Sequence, residues 1–257
     1  MKYSLLTAIT LLTLSLSCKK TDTQIETKSD CPISGTYLNK TVLDQCPGKM
    51  PVDVPYYALE LSFNSSDSVA ISNGVEKYKL PFKSAEGDCG FKIDSATQFG
   101  DMYFTVTGDS ILQLHDSAWT KVNNFSTFAK INNPTRENWD FENYLNECAI
   151  AGNYMITKKD GKSSPVYFLP NGQITGIKPY LAYTVCYAGD CLEETEIPSR
   201  LIELSDDKGG IQLFAYTMTE DRSSVKFYKV GEVKPDIKGE RTIGELAFEL
   251  SKDLSTQ

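Results

Sequence analysis

Apolar and polar residues alternate along most of this chain, at the two-residue period of strands that bury one face. In its first half, Tyr57, Leu59, Leu61 and Phe63 alternate with their neighbours. Val69 and Ile71 follow the turn residues Asn64-Ser65-Ser66-Asp67. Then come Tyr78-Leu80-Phe82, Phe91 with Ile93, Tyr103 with Thr105, Leu112 with Leu114, and finally 128–131. With an opening segment around Tyr37, this predicts about eight strands. In the second half, segments around Tyr154 and at 166–169, 173–177, 181–187, 192–197, 201–204, 211–216 and 225–230 predict eight more. Asp160-Gly161, Asn171-Gly172 and Gly209-Gly210 fall between them as hairpin turns.

The period changes in two places. After Pro134-Thr135, a helix-start signal, Phe141, Tyr144, Leu145 and Cys148 fall at i, i+3, i+4 and i+7, which is one face of a helix. Thr242-Ile243-Gly244-Glu245 has the form of a capping box ahead of Leu246, Ala247 and Leu250. Leu246, Phe248 and Leu250 also alternate as in a strand; the capping pattern predicts a second short helix.

The two halves repeat each other. Cys31-Pro-Ile-Ser-Gly-Thr-Tyr37 is echoed by Cys148-Ala-Ile-Ala-Gly-Asn-Tyr154, and Gly87-Asp88-Cys89 by Gly189-Asp190-Cys191. A repeat of this length marks two copies of one structural unit. Eight short antiparallel strands can close on themselves, which removes the exposed edges of the sheet. The expected fold is all-β, with two tandem eight-stranded meander barrels at 31–147 and 148–257, each followed by a short helix. The opening Gly-x-Tyr, the eight-strand meander and the trailing helix together resemble the lipocalin-like (calycin) domains of small bacterial envelope lipoproteins. That resemblance implies a barrel that is either filled by its own side chains or holds one small ligand.

The first 30 residues read differently. Lys2, an apolar run from Leu5 to Leu16 and small residues before Cys18 form a secretory signal over 1–17. The run is shorter than the roughly 20 residues that a spanning helix needs. Leu14-Ser15-Leu16-Ser17-Cys18 resembles a bacterial lipoprotein cleavage site, which implies lipidation of Cys18 and a membrane anchor, in an envelope whose outer membrane is the expected address. Residues 18–30 carry almost nothing apolar and suit a flexible tether.

Charge narrows the partners. The formal net charge is −8, and loss of Lys2 with the signal leaves −9. Without a basic stripe, nucleic acid and anionic membrane surfaces are poor partners, and no nucleic acid is expected. Besides Cys18 there are six cysteines: Cys31, Cys46, Cys89, Cys148, Cys186 and Cys191. An even number in an exported chain points to disulfides. Cys186 and Cys191 flank a plausible hairpin turn and are expected to pair. That map adds Cys31 with Cys148 and Cys46 with Cys89. A rival map closes each repeat, Cys31 with Cys89 and Cys148 with Cys191, and leaves Cys46 to Cys186.

Specific chemistry is sparse. With a single histidine, His115, and no C-x2-C pair, neither a metal site nor a cofactor site is expected. His115 lies at a strand end beside turn residues, where solvation is its ordinary role. No G-x-S-x-G, P-loop or H-E-x-x-H motif occurs, and the acidic pairs Glu193-Glu194 and Asp206-Asp207 fall in polar loops. Trp119 and Trp139 are the largest aromatics, the latter placed to dock the linker helix. Asp-Ser-apolar recurs at Ser68, Ser95, Ser110 and Ser117. It resembles the O-glycosylation acceptor of bacteria that glycosylate exported proteins, although Asp and Ser also favour the turn before a strand. The expected function is a lipid-anchored binding or interaction module with an unidentified ligand or protein partner, a small apolar ligand in a barrel mouth being one candidate. The alternatives are an interaction protein with filled barrels and a hydrolase of envelope or dietary polymers. Buried carboxylates converging in a cleft would favour the hydrolase.

Overall fold

In the computed structural model, the described residues are 33–44, 46, 59–73, 76–84, 89–97, 100–108, 110–115, 127–135, 140–158, 160–187, 200–233 and 241–253. The chain forms two antiparallel eight-stranded barrel-like sheets from separate segments.

The first contains β1 (Gly35–Asn39), β2 (Glu60–Phe63), β3 (Ser68–Ser72), β4 (Lys77–Ser84), β5 (Gly90–Thr97), β6 (Gly100–Thr107), β7 (Ile111–Leu114) and β8 (Thr127–Lys130), with one helical turn, α1 (Lys40–Leu43), after β1. Each strand pairs with the next, and β8 returns to β1 through Tyr37–Lys130, Leu38–Ala129 and Asn39–Phe128, so the barrel is closed. Alternation places Leu61, Phe63, Val69, Ile71, Phe91, Ile93 and Phe104 in one core. Its rings touch in sequence. Phe63 lies edge-on to Tyr37, Phe82 and Phe91 at 5.2–5.8 Å, and Phe91 stacks on Phe104 at 5.0 Å. Contacts at these separations are favourable beyond the area that they bury. Gly35, at the barrel's opening, has φ +89°, and a Cβ there would stand 2.9 Å from Cε of Lys130. Glycine suits both the φ value and the close approach.

The second sheet follows α2 (Asp140–Ala149) and contains β9 (Gly152–Thr157), β10 (Ser163–Phe168), β11 (Ile174–Thr175), β12 (Tyr180–Val185), β13 (Arg200–Asp206), β14 (Ile211–Met218), β15 (Ser224–Val233) and β16 (Arg241–Lys252). Its order is β11-β10-β9-β16-β15-β14-β13-β12, the same cyclic meander as the first. The difference lies in the seam. Here the residues just before β11 join β12 through the Gln173–Ala182 bridge and the bond from the Tyr183 N–H to the Gly172 carbonyl, so closure is nearly complete. Phe168, Tyr183, Phe214, Phe227 and Phe248 pack inside, ring to ring at 4.5–6.4 Å.

Two expectations need correction. The segment after Thr242 is strand β16, not a helix. A strand there pairs with both β15 and β9, Leu250 lying opposite Val225 and Ile156, and so covers two edges that a helix would leave open. Bulges beside Tyr228 and Val230 shift the register, turning Leu246 out (47% exposed) and burying Leu250. The predicted strand at 192–197 lies outside the described residues, and β16 completes the eight.

The disulfide maps are the second correction. Cys46 is bonded to Cys148, with Cα atoms 6.0 Å apart, a pairing in neither map. Cys46, two residues after the end of α1 and its following turn, packs against the core of the second barrel, and Cys148 lies in the last turn of α2. The bond therefore ties the opening of the first half to the helix that leads into the second. It excludes Cys31–Cys148, Cys46–Cys89, Cys148–Cys191 and Cys46–Cys186 as native pairs. Cys89 is disulfide-bonded, while Cys31 and Cys191 lie outside the described residues. Cys186 is buried against Leu201 and Ala215.

Candidate functional site

The polar site of this molecule lies where the two barrels meet, and α2 builds it. Phe141 and Leu145, one turn apart, pack with Leu38, Leu59 and Ile131 of the first barrel and Tyr187 of the second. This apolar contact lays the start of α2 over the outer face of β2. Glu60, between Leu59 and Leu61, is turned outward by strand alternation, yet it is only 2% exposed because the helix covers it.

The covered carboxylate has work to do there. The first N–H groups of a helix have no partner within it, and Glu60 Oε2 accepts the N–H of Phe141 at 3.1 Å. Ser62 donates to its other oxygen at 3.3 Å. Burial raises the Glu60 pKa above its ordinary value, and nearby Asp140 raises it further, against the opposing pull of the Phe141 N–H and Lys77. Asp140, also buried, accepts the N–H of Thr135 with both oxygens, at 2.9 and 3.1 Å. Lys77 is the cation of the group. Burial lowers its pKa, while Glu142, Glu60 and Asp140 oppose that shift.

Glu60 and Lys77 line a pocket of about 240 Å³ over β2 to β4, and Glu142 lines a different one. A cleft of about 290 Å³ runs between α2 and the seam of the second barrel. Glu142, Asn143 and Asn146 line it from the helix. Asn171 and Gly172, the turn before β11, and Tyr183, Thr184, Val185 and Tyr187 line it from the barrel. Tyr187 donates its hydroxyl to Glu142 Oε1 at 2.8 Å. Glu142 Oε2 is buried and has no hydrogen-bond partner among the described residues. Burial raises the Glu142 pKa, and the Tyr187 hydrogen bond opposes that. The walls are firmly held. Asn146 Nδ2 donates to the Pro170 carbonyl at 2.9 Å, and the Tyr183 hydroxyl to the Leu169 carbonyl at 2.7 Å. Among the described residues that line the cleft none is Lys, Arg or His, and the charge of Lys77 acts on Glu142.

Glycosidase chemistry of the usual kind needs two carboxyl groups facing one substrate. Of these three acids, Glu60 and Asp140 are committed to backbone N–H groups, and Glu142 alone lines the cleft. Glu60 and Asp140 thus hold backbone at the junction.

The residues singled out in the sequence fall elsewhere. His115 is exposed just after β7, its Nε2 2.6 Å from Thr105 Oγ1. Asp206 accepts N–H groups from Lys208 and Gly210 and shapes the β13–β14 turn. Ser68 opens β3 and is bonded to Ser65 and Asp67, Ser110 precedes β7, and Ser95 lies within β5. Cys18, Ser117, Trp119, Trp139 and the Glu193-Glu194 pair lie outside the described residues. Sequence reading passed over Glu60 and Glu142, whose burial depends on a docking that no local pattern reports. No known family, curated protein or solved structure matches this chain.

Proposed function

We propose that this chain is a lipid-anchored protein of the bacterial cell envelope that recognises a polar molecule in the cleft between its barrels. The observation that carries the reading is the cleft itself, about 290 Å³, lined by Glu142, Asn143, Asn146 and Asn171 and with walls held by the Asn146 and Tyr183 hydrogen bonds. The aromatic packing in both barrels argues against a lumen site for an apolar ligand and so against lipid carriage. Attachment through Cys18 rests on the signal-like run and the cysteine that follows it.

Two experiments test the two parts. Labelled palmitate should enter the wild-type protein, and Cys18→Ala should abolish labelling and release the chain to the soluble fraction; label retained by the variant would refute the anchor. Titration with the fluorescent fatty acid cis-parinaric acid should show no saturable binding. Saturable binding at one site per barrel would return recognition to the lumen.

A further inference from the structure

Independently of the cleft, we infer that the outer edge of β16 is a self-association surface, on which a second copy of this chain lays its own β16 antiparallel, with the twofold axis at Glu245. The strand is 12 residues long, Arg241–Lys252. Its neighbour β9 covers only Leu250, Ser251 and Lys252, through Ile156, Met155 and Tyr154. Because β9 ends at Thr157, the stretch from Thr242 to Glu249 runs on past it. On the side away from β15, no strand pairs with that stretch among the described residues. The pairing of β15 with β14 likewise stops at Lys229, opposite Phe214. The far end is therefore a two-stranded arm, in which Val230 lies opposite Ile243 and Val233 opposite Arg241. Two strands alone are marginally stable in water, and an open edge is a template for a third.

The residues along this edge complement themselves. With Glu245 opposite Glu245, Arg241 falls opposite Glu249 at both ends, a cross-strand pair of opposite charge made twice. Leu246, 47% exposed, falls opposite the exposed Gly244, and Ile243 opposite Ala247. At the centre, Lys229 of each chain lies 2.6 Å from its own Glu245, so the two carboxylates meet with two ammonium groups beside them. A twofold axis keeps each residue on its own face of the sheet, which restricts the register to steps of two. The neighbouring registers, about Gly244 or Leu246, set Ile243 against Glu245 or Glu249 and part Arg241 from Glu249. Opposite charges at exposed positions add little energy; here they select the register.

Sedimentation equilibrium on the oxidised, full-length Cys18→Ala protein should show a monomer–dimer equilibrium, weak because a single strand edge is a small interface. Leu246→Lys should weaken it by about tenfold or more, as an unpaired charge placed in a contact does, with the melting temperature of the dilute monomer unchanged. Arg241→Glu and Glu249→Arg should each weaken dimerisation, and the two together should restore it. Directly opposed Cα atoms in an antiparallel pair lie about 4.5–5.5 Å apart, within the range of a disulfide. Glu245→Cys should therefore link two chains in the presence of oxidised glutathione, while wild type and Ala247→Cys do not. A chain that stays monomeric at millimolar concentration would overturn the inference. So would a dimer that Leu246→Lys leaves intact and Glu245→Cys fails to link. Slow hydrogen exchange along the whole of 242–249 in the dilute monomer would overturn it too, because the edge would then be paired within one chain.

Discussion

Cutting the Cys46–Cys148 bond removes a constraint whose size can be worked out in advance. The two cysteines are 102 residues apart in sequence, and the closed loop contains β2 to β8 and nearly all of α2. A cross-link removes closure entropy from the unfolded chain as the logarithm of loop length, so a loop of this size corresponds to about 4.7 kcal/mol at 25 °C. Measured effects usually fall short of that figure, because reduced chains retain some structure. Cys46→Ser/Cys148→Ser should therefore lose between about 2 and 4.7 kcal/mol. Urea unfolding followed by far-ultraviolet circular dichroism reads this directly, as a lower midpoint. Because Cys46 also packs on the second barrel, both barrels should become easier to unfold. A midpoint unchanged by the double substitution, at unchanged slope, would refute the reasoning.

Two further predictions concern the junction and the second barrel. Burial raises Glu60 and Glu142 above their ordinary value of 4.5. Their contribution to stability is therefore complete below that pH and is lost as pH rises through the raised folded values. In melting experiments from pH 4 to 8, the difference between wild type and Glu60→Gln should favour wild type most at the acid end. Parallel profiles would contradict this. Glu60→Ala, which leaves the Phe141 N–H buried without its acceptor, should cost about 1–3 kcal/mol at any of these pH values. Gly176→Ala should cost more than about 1 kcal/mol, since the residue has φ +96° and a Cβ would fall 2.2 Å from the Pro165 carbonyl. A melting temperature equal to wild type would exclude that clash.

The barrels were legible because strand alternation is a local signal. Leu59-Leu61-Phe63 and Phe91-Ile93 announce an inward face on their own, and the two Gly-x-Tyr openings mark where each copy begins. Tyr37 and Tyr154 are both 2% exposed, as that equivalence predicts. The end of the chain was not legible. Thr242–Leu250 fits both the helical and the strand period, and only the open edges of β9 and β15 decide between them. Cysteine pairing was out of reach for a similar reason, since nothing near Cys46 or Cys148 says that α1 and α2 come together. The site shows the limit most clearly. In sequence, Glu60 has the pattern of a solvent-facing residue on a half-buried strand. Asn171-Gly172 has that of a plain hairpin turn, and Glu142 that of a polar helix position. Their shared role arises when Phe141 and Leu145 dock between the barrels.

The position at which a ligand touches the chain tests the central claim most directly. Thr184, exposed on β12, lines the cleft, while Val166, Ile202 and Val225 belong to the second barrel's core. In a protein carrying carbon-13 at Thr, Ile and Val methyl groups, a panel of small polar ligands should contain one that shifts the Thr184 methyl signal and leaves those of Val166, Ile202 and Val225 in place. Shifts confined to the core methyls, with Thr184 unmoved, would place recognition inside the barrel and contradict the account.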